Sequence, residues 1–429
     1  MTESNRERPL KVAVIGFGIV GAGIIERLVN GSMPQLVLSK VVVKDPKKAR
    51  AIKLSPGTLT ASVEEVLKDP EIDIVIEVIG GLEPATDIIL RALRSGKHVI
   101  TANKMAIAEK GGLIFPEALK RKLSIGFRGT FVGCSPLIHD LSARLKEGKI
   151  RRISAILNGT SNYILSEMSE RNSEFQTVLK EAQDKGYAEK DPSQDIDGID
   201  TAYKLHIILG LTYNTYNIYN LRKVVPVEGI RAVTLQDIQY AGELGFHIRL
   251  LGVIEAINSK VYARVFPALV KDDSLLGSTK GANNAIEVED EWGVISGLIA
   301  PGAGKEPTAT ALSKDLIDIA RGSGTLMPEG EQEIKLGDPL ELNSRFYLRF
   351  TVTDKPGVLA QIAKVFWDYN ISIAAVIQKP SELAEQVPLV MLLHPSKEKN
   401  VFEAIRSIDK LPFIIRETRV IRIYDVKSM

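Results

Sequence analysis

The sequence predicts an α/β protein in three parts, and three observations carry that prediction. A short apolar run, a Gly-x-Gly-x-x-Gly turn and a helical pattern open the chain. Consecutive apolar segments with tight connections fill the middle, after a helical stretch. From residue 346 onward the pattern reads strand, helix, strand, strand, helix, strand. The parts are a Rossmann-type dinucleotide-binding domain over 1–135, an α+β substrate and dimerisation domain over 136–325, a linker over 326–345 and a ferredoxin-like βαββαβ module over 346–426. The helix at 307–321 is expected to return to the first domain. A length of 429 residues agrees with about three domains.

Composition narrows the class. Apolar residues make up 45% and charged residues 25%, which suits a water-soluble chain with ample core. The net charge is +2 with both signs interspersed, so there is no electrostatic footprint for nucleic acid. Cys134 is the only cysteine, so neither an intramolecular disulfide nor a zinc cluster can form, and a reducing compartment fits. The start, "MTESNRERPL", lacks the apolar core of a signal peptide, and no apolar run is long enough to span a bilayer. A cytoplasmic protein without membrane or nucleic-acid partners is expected.

Val12, Val14 and Ile15 form a buried parallel strand, and Gly16-Phe17-Gly18-Ile19-Val20-Gly21 follows. Gly16 permits the tight turn, Gly18 lets backbone approach a pyrophosphate, and Gly21 lets the helix pack close to the strand. Further strands are read in "LVLSKVVV", "IDIVIEVIGG" and "KHVITANK", with a helix in "PATDIILRALRSG". Asn103 and Lys104 then fall at a strand's carboxyl end, where ligands sit in such sheets. Past the second strand Asp45 would bond a ribose hydroxyl and favour NAD. Lys44, Lys47, Lys48 and Arg50 would hold a 2′-phosphate, and their number tips the expectation towards NADP.

In the middle, "LNGTSNYIL" is a turn and helix start whose hydroxyls can cap the helix or hold a ligand. Helix "SEFQTVLKEAQDKG" stops at Gly186, and "GYAEKDPSQDIDGIDTAYK" then gathers Glu189, Asp191, Asp195, Asp197 and Asp200 before Lys204. An EF-hand register centred on Gly198 would put Ser193 first and Lys204 twelfth, and lysine ligates no calcium. Asp200 and Lys204 share one helix face, where an exposed pair would be worth only about 0.2–0.5 kcal/mol. "APGAGKEPTATA" lacks the first glycine and final hydroxyl of a Walker A loop, so it is a turn feeding a helix.

Together these stretches, with "EVIGG", "GKHVITANK" and "VTDKPGVLAQIAKVF", resemble homoserine dehydrogenase with a carboxyl-terminal ACT domain. The resemblance covers almost the whole chain, and the acidic block is its most specific part. It implies interconversion of L-homoserine and L-aspartate 4-semialdehyde with NADP or NAD, a step towards threonine, methionine and isoleucine. It implies Lys204 as the acid/base at the carbonyl oxygen and Lys104 as a second lysine of the site. Glu189 and Asp200 are implied at the substrate amine and its surroundings. Gly186 and Gly302 are implied beside the nicotinamide, with Lys104 and Glu189 also near the cofactor. A homodimer or homotetramer is implied, with feedback by an amino acid such as threonine at the ACT module. Truncation after about residue 325 is then expected to leave an active, uninhibited enzyme. One departure stands out: in "FRGTFVGCSP" Arg128 replaces a glutamate that holds a monovalent cation in the family. Arginine ligates no cation, so no metal is expected. Two other readings stay open: a phosphorylating semialdehyde dehydrogenase using Cys134 with His139, and a non-catalytic amino-acid sensor.

Overall fold

In the computed structural model, which describes residues 8–131, 150–220, 225–302, 304–324, 327–379 and 386–424, the chain divides into two compact units. One comprises Met1–Ile153, Asp200–Val225 and Asn283–Ile334; the other comprises Ser154–Ile199, Pro226–Ala282 and Lys335–Met429.

The first unit is built on a parallel sheet. Its strands are β1 (Leu10–Ile15), β2 (Leu36–Val42), β3 (Leu59–Thr60), β4 (Ile72–Glu77), β5 (His98–Thr101) and β6 (Ile125–Gly126). They lie in the order β3-β2-β1-β4-β5-β6, the doubly wound arrangement. Helices α1 (Ile19–Val29), α2 (Val63–Lys68), α3 (Glu83–Arg94) and α4 (Lys104–Arg121) alternate with them. Val12 and Val14 on β1 pack with Ile24 and Ile25 of α1. Leu312, Leu316 and Ile319 of a late helix, Lys305–Arg321, join the same core. The hairpin Asn283–Asp290 and Ile295–Pro301 also belongs to this unit. Strand β5 ends at Thr101: Asn103 caps α4 and Lys104 is its first residue, so neither lies on the strand as the sequence suggested. Asparagine before a helical run is a stop for the strand and a cap for the helix.

Strand β7 (Ile150–Ile156) leads into the second unit and its helices α5 (Gly159–Arg171), α6 (Phe175–Asp184) and α7 (Ser193–Ile196). Helix α8 (Ile199–Thr212) follows and carries Asp200 and Lys204 in the first unit. The second unit continues with α9 (Leu235–Glu243), the long hairpin β8 (Phe246–Ile257) and β9 (Lys260–Lys271), and α10 (Leu275–Ser278). In chain order β10 (Asn283–Asp290), β11 (Ile295–Pro301) and α11 (Lys305–Arg321) are then the late elements of the first unit. The terminal module runs β12 (Asn343–Thr353), α12 (Val358–Asp368), β13 (Ile373–Gln378), β14 (Gln386–Lys397), α13 (Glu398–Ile408) and β15 (Ile414–Tyr424). Its sheet order, β15-β12-β14-β13, is the ferredoxin-like one, and its core joins Phe346, Phe350, Ile362 and Phe366 to Val401 and Ile408. Strand β15 also pairs in parallel with β9, Arg422 opposite Ala268 and Tyr424 opposite Val270.

The stretch expected to be a linker is docked along its length. The Gly330 N–H donates to the Asn214 carbonyl at 2.9 Å in the first unit. In the second, the Val261 N–H donates to the Lys335 carbonyl and the Gly337 N–H to the Val261 carbonyl, both at 2.9 Å. Glycine and proline there punctuate a chain that is hydrogen-bonded to its neighbours.

Candidate active site

One carboxylate organises the site in the first unit. Asp200 opens α8, and its Oδ2 meets the Lys204 ammonium one turn on, at 2.9 Å. Its Oδ1 meets the Lys104 ammonium at 2.5 Å. Asp200 and Lys204 are 3% and 8% exposed, so this is not the weak surface pair that i,i+4 spacing alone suggested. Lys104 keeps 40% of its side chain exposed. A buried carboxylate between two ammonium groups holds positive charge in a fixed place, which is what a carbonyl oxygen gaining charge requires.

Lys104 is held by a chain of polar contacts that starts inside the sheet. The buried Glu77 accepts from the Thr101 hydroxyl at 2.6 Å and from the Ile79 N–H at 2.8 Å, and burial pushes its carboxyl up. The Asn103 N–H donates to Thr101 Oγ1 at 2.9 Å. The Asn103 side chain accepts from the Ala106 N–H at 3.0 Å and donates to the Gly81 carbonyl at 2.6 Å. This cap, adjacent to Lys104, escaped the sequence reading because the strand was carried through it; the signal was an asparagine just before a helical run.

The glycine turn fits a dinucleotide. Gly16 has φ +112°, and a Cβ there would lie 2.7 Å from the Val78 carbonyl oxygen. A Cβ at Gly21 would lie 2.3 Å from the Gly16 carbonyl oxygen. A Cβ at Gly18 would meet no protein atom within 4 Å, so packing does not demand glycine there; close approach of a phosphate does. No side chain caps α1, and its first turn carries no acid, which leaves its N-terminus suited to an anion. Arg50 lies over the Phe17 ring of this turn at 5.3 Å. Within the same loop Arg50 donates to the Asp45 carbonyl at 2.8 Å, and the Asp45 carboxylate accepts from the Lys47 N–H at 2.8 Å. Lys44 is exposed past the end of β2. Gly302 is buried shortly before α11, whose first turn is tied to α1 by Lys305 to Glu26 at 2.9 Å and Arg27 to Glu306 at 3.0 Å.

This geometry has close counterparts among known proteins. Family models match in three stretches: the homoserine dehydrogenase NAD-binding domain over 16–123, homoserine dehydrogenase over 136–317 and the ACT domain over 346–410. A homoserine dehydrogenase of Neisseria gonorrhoeae is 35% identical over 97% of this chain and 98% of its own length. One from Bacillus subtilis is 33% identical over 95% of this chain and 96% of its own. The chain belongs to the homoserine dehydrogenase family. A crystal structure of such an enzyme from Thiobacillus denitrificans superposes with a TM-score of 0.90 at 35% identity, covering 98% of this chain and 99% of that one. As a homoserine dehydrogenase the chain is an NAD(P)-dependent oxidoreductase with an effector-binding ACT domain. Neither the phosphorylating dehydrogenase nor the non-catalytic sensor is supported, and Cys134 and His139 lie outside the described residues.

The rest of the acidic block lies in the second unit of this dehydrogenase. Gly186 has φ +76° at the end of α6, and Glu189 is exposed nearby. The hydroxyl-rich turn serves as cap and clamp: Asn158 caps α5 by accepting from the Ser161 N–H at 2.7 Å and donates to Asp195 at 2.6 Å. The Thr160 hydroxyl donates to the Tyr187 carbonyl at 2.7 Å. Asp191 accepts from the Ser193 hydroxyl at 2.6 Å, and Asp197 pairs with Arg231. Arg128, in the first unit, is buried and bridges Asp315 at 2.5 Å and Asp318 at 2.8 Å. Among the described residues no group of three His, Cys, Asp or Glu is placed to hold a metal, and no helix is long and apolar enough to cross a membrane.

Proposed function

We propose that Lys204 is the acid/base of the homoserine–aspartate semialdehyde reaction, and the observation that carries this is the Asp200 carboxylate shared by Lys204 and Lys104. NADPH, when bound, supplies the hydride to the aldehyde carbon. As charge grows on oxygen, the Lys204 ammonium gives up its proton there, and the product is the neutral alcohol. In the reverse direction the Lys204 amine takes the hydroxyl proton. Asp200 orients both lysines, and Lys104 keeps a positive charge beside the reacting oxygen. Glu189 binds the substrate ammonium, and Gly186 and Gly302 lie by the nicotinamide, as the family resemblance implies. Gly16–Gly21, at the N-terminus of α1, would hold the phosphates, with Phe17, Ile19 and Val20 contributing backbone.

NADP is the preferred cofactor on this reading. Arg50 lies over Phe17 beside the glycine turn, its guanidinium donating to the Lys48 and Asp45 carbonyls of the same loop, and Lys44, Lys47 and Lys48 add charge to it. The enzyme works in the cytoplasm as a homodimer or homotetramer. Exposed Trp367, Leu359 and Val376 on the ACT module, and Trp292 and Ile295 in the β10–β11 hairpin, support assembly. Its effector is a pathway amino acid, threonine foremost. Purified protein given L-homoserine should form NADPH from NADP⁺ at a rate proportional to enzyme. No NADPH or NADH formed with either cofactor would refute the reading.

A further inference from the structure

The two lysines of the site stand on different helices, and these helices are tied together at three levels within the first unit. Lys104 is the first residue of α4, and Asp200 and Lys204 lie on α8. The first tie is the ion pair between Asp200 and Lys104, at 2.5 Å. The second comes three residues on along α8, where the Tyr203 hydroxyl donates to the Glu109 carboxylate of α4 at 2.7 Å. The third is the buried Tyr219 ring, on the short turn Asn217–Asn220. It lies 5.4 Å from the Phe115 ring of α4, and its hydroxyl donates to the Ile207 carbonyl of α8 at 3.1 Å. Both helices make room for that ring with glycine: a Cβ at Gly111 would lie 2.9 Å from it, and one at Gly210 would run into its hydroxyl.

The three ties have different duties. Tyr219 fixes the far ends of the two helices. The Asp200–Lys104 pair lies at the reacting end and cannot hold the spacing there unaided. As charge grows on the substrate oxygen, Lys104 is drawn towards it and Lys204 gives up its proton, so both partners of Asp200 change their pull during the reaction. The Tyr203–Glu109 hydrogen bond has no part in that change. Burial, with the hydrogen bond and charge of Glu109, pushes the Tyr203 phenol up to about 12, so it remains a donor at neutral pH. Asp200 and Tyr203, three apart, are neighbours on the surface of α8, and each reaches α4. A slide or rotation of α8 that broke the Tyr203 contact would carry the adjacent Lys204 with it, because the helix moves as one body.

We propose that Tyr203 and Glu109 are positioning residues of the dehydrogenase: their hydrogen bond keeps α8 in register with α4 while the Asp200 ion pairs loosen, and so holds Lys204 at the reacting oxygen. The proposal rests on the reading of Lys204 as the acid/base. Tyr203 and Glu109 act through Lys204; they give no proton to the substrate and bind neither substrate nor cofactor. A hydrogen bond of this kind biases the two helix placements by about its own net worth, so its loss lowers the share of aligned enzyme by roughly three- to tenfold.

Steady-state oxidation of L-homoserine by the full chain tests this, in Tyr203→Phe, Glu109→Ala, the double variant and Glu109→Gln. Tyr203→Phe removes one oxygen atom and should melt close to the parent temperature. Its kcat should fall by roughly three- to tenfold while the KM for homoserine and the affinity for NADP⁺ hold. Glu109→Ala should show the same fall and the double variant no further one. Glu109→Gln, whose amide oxygen still accepts from Tyr203, should keep most of the parent kcat. Parent kcat in both Tyr203→Phe and Glu109→Ala overturns the proposal. Additive losses in the double variant overturn it too. So does a loss in Glu109→Gln equal to that in Glu109→Ala, which places the effect in the charge of Glu109, or a raised KM at unchanged kcat, which makes Tyr203 a substrate contact. Lys204→Ala measured alongside keeps the two readings apart: a near-parent rate there overturns the acid/base reading, whatever Tyr203→Phe does.

Discussion

Asp200 cannot be treated like Lys204 in a mutational study. Lys204→Ala leaves the buried Asp200 carboxylate its contact with Lys104, so the fold should survive. Asp200→Ala leaves the Lys204 ammonium buried without that carboxylate, and breaking such a pair costs about 3–5 kcal/mol. Thermal unfolding should therefore show a clear loss for Asp200→Ala and a small one for Lys204→Ala; equal loss in both would contradict the bridging geometry. Asn103→Ala removes a helix cap worth about 1 kcal/mol and the anchor next to Lys104, so stability and kcat should fall together. His206 supplies a pH test. Burial lowers its pKa below the ordinary 6.5, and its Nε2 lies 3.0 Å from the Ile218 carbonyl, donating as the neutral tautomer. The unfolded chain takes up the proton first, so its contribution to stability is full above about pH 6.5 and is lost as pH falls below it. The acid-side slope of Tm against pH should flatten in His206→Gln. The Asp200–Lys204 pair was legible because their spacing puts them on one helix face, whereas their roles came from the family resemblance alone. Their burial and the arrival of Lys104 were not legible, because both depend on residues distant in the chain.

Among the elements, the parallel sheet was legible where its strands run six or seven residues and are rich in Val, Ile and Leu, as in β1, β2 and β4. The two-residue strands β3 and β6 carry no periodicity to read. Helix α4 hid for a different reason. It holds Gly111, Gly112 and Pro116, which read as breakers. Gly111 is needed by packing: a Cβ there would lie 2.9 Å from the Tyr219 ring. Gly111→Ala should accordingly destabilise the protein, although alanine favours helix; higher stability in an unfolding experiment would contradict the packing. The loop after β2 decides the cofactor at this scale. Arg50→Ala should lower kcat/KM for NADP⁺ by roughly tenfold, about 1.4 kcal/mol, with little effect on NAD⁺. Equal loss for both cofactors would mean that Arg50 supports the Phe17 turn and does not read the phosphate.

On the scale of the whole chain, the ACT module is less separable than its sequence suggests. Its hydrophobic pattern marks a self-contained fold, and its own core agrees. Sequence cannot show that β15 pairs with β9 or that the supposed linker is docked, since both are long-range backbone contacts. Truncation after residue 325 should therefore expose the edge of β9 and give a chain that melts well below the full protein. A truncated chain with the parent Tm would contradict that continuity. The central claim concerns the reaction itself, and the most direct measurement is steady-state oxidation of L-homoserine by the full chain and by Lys204→Ala, with NADP⁺ affinity measured on both. The account predicts a kcat lower by roughly 10²–10⁴-fold in the variant, about 3–5 kcal/mol of barrier, with cofactor affinity unchanged. A variant that binds NADP⁺ normally and turns over homoserine at close to the parent rate would contradict it.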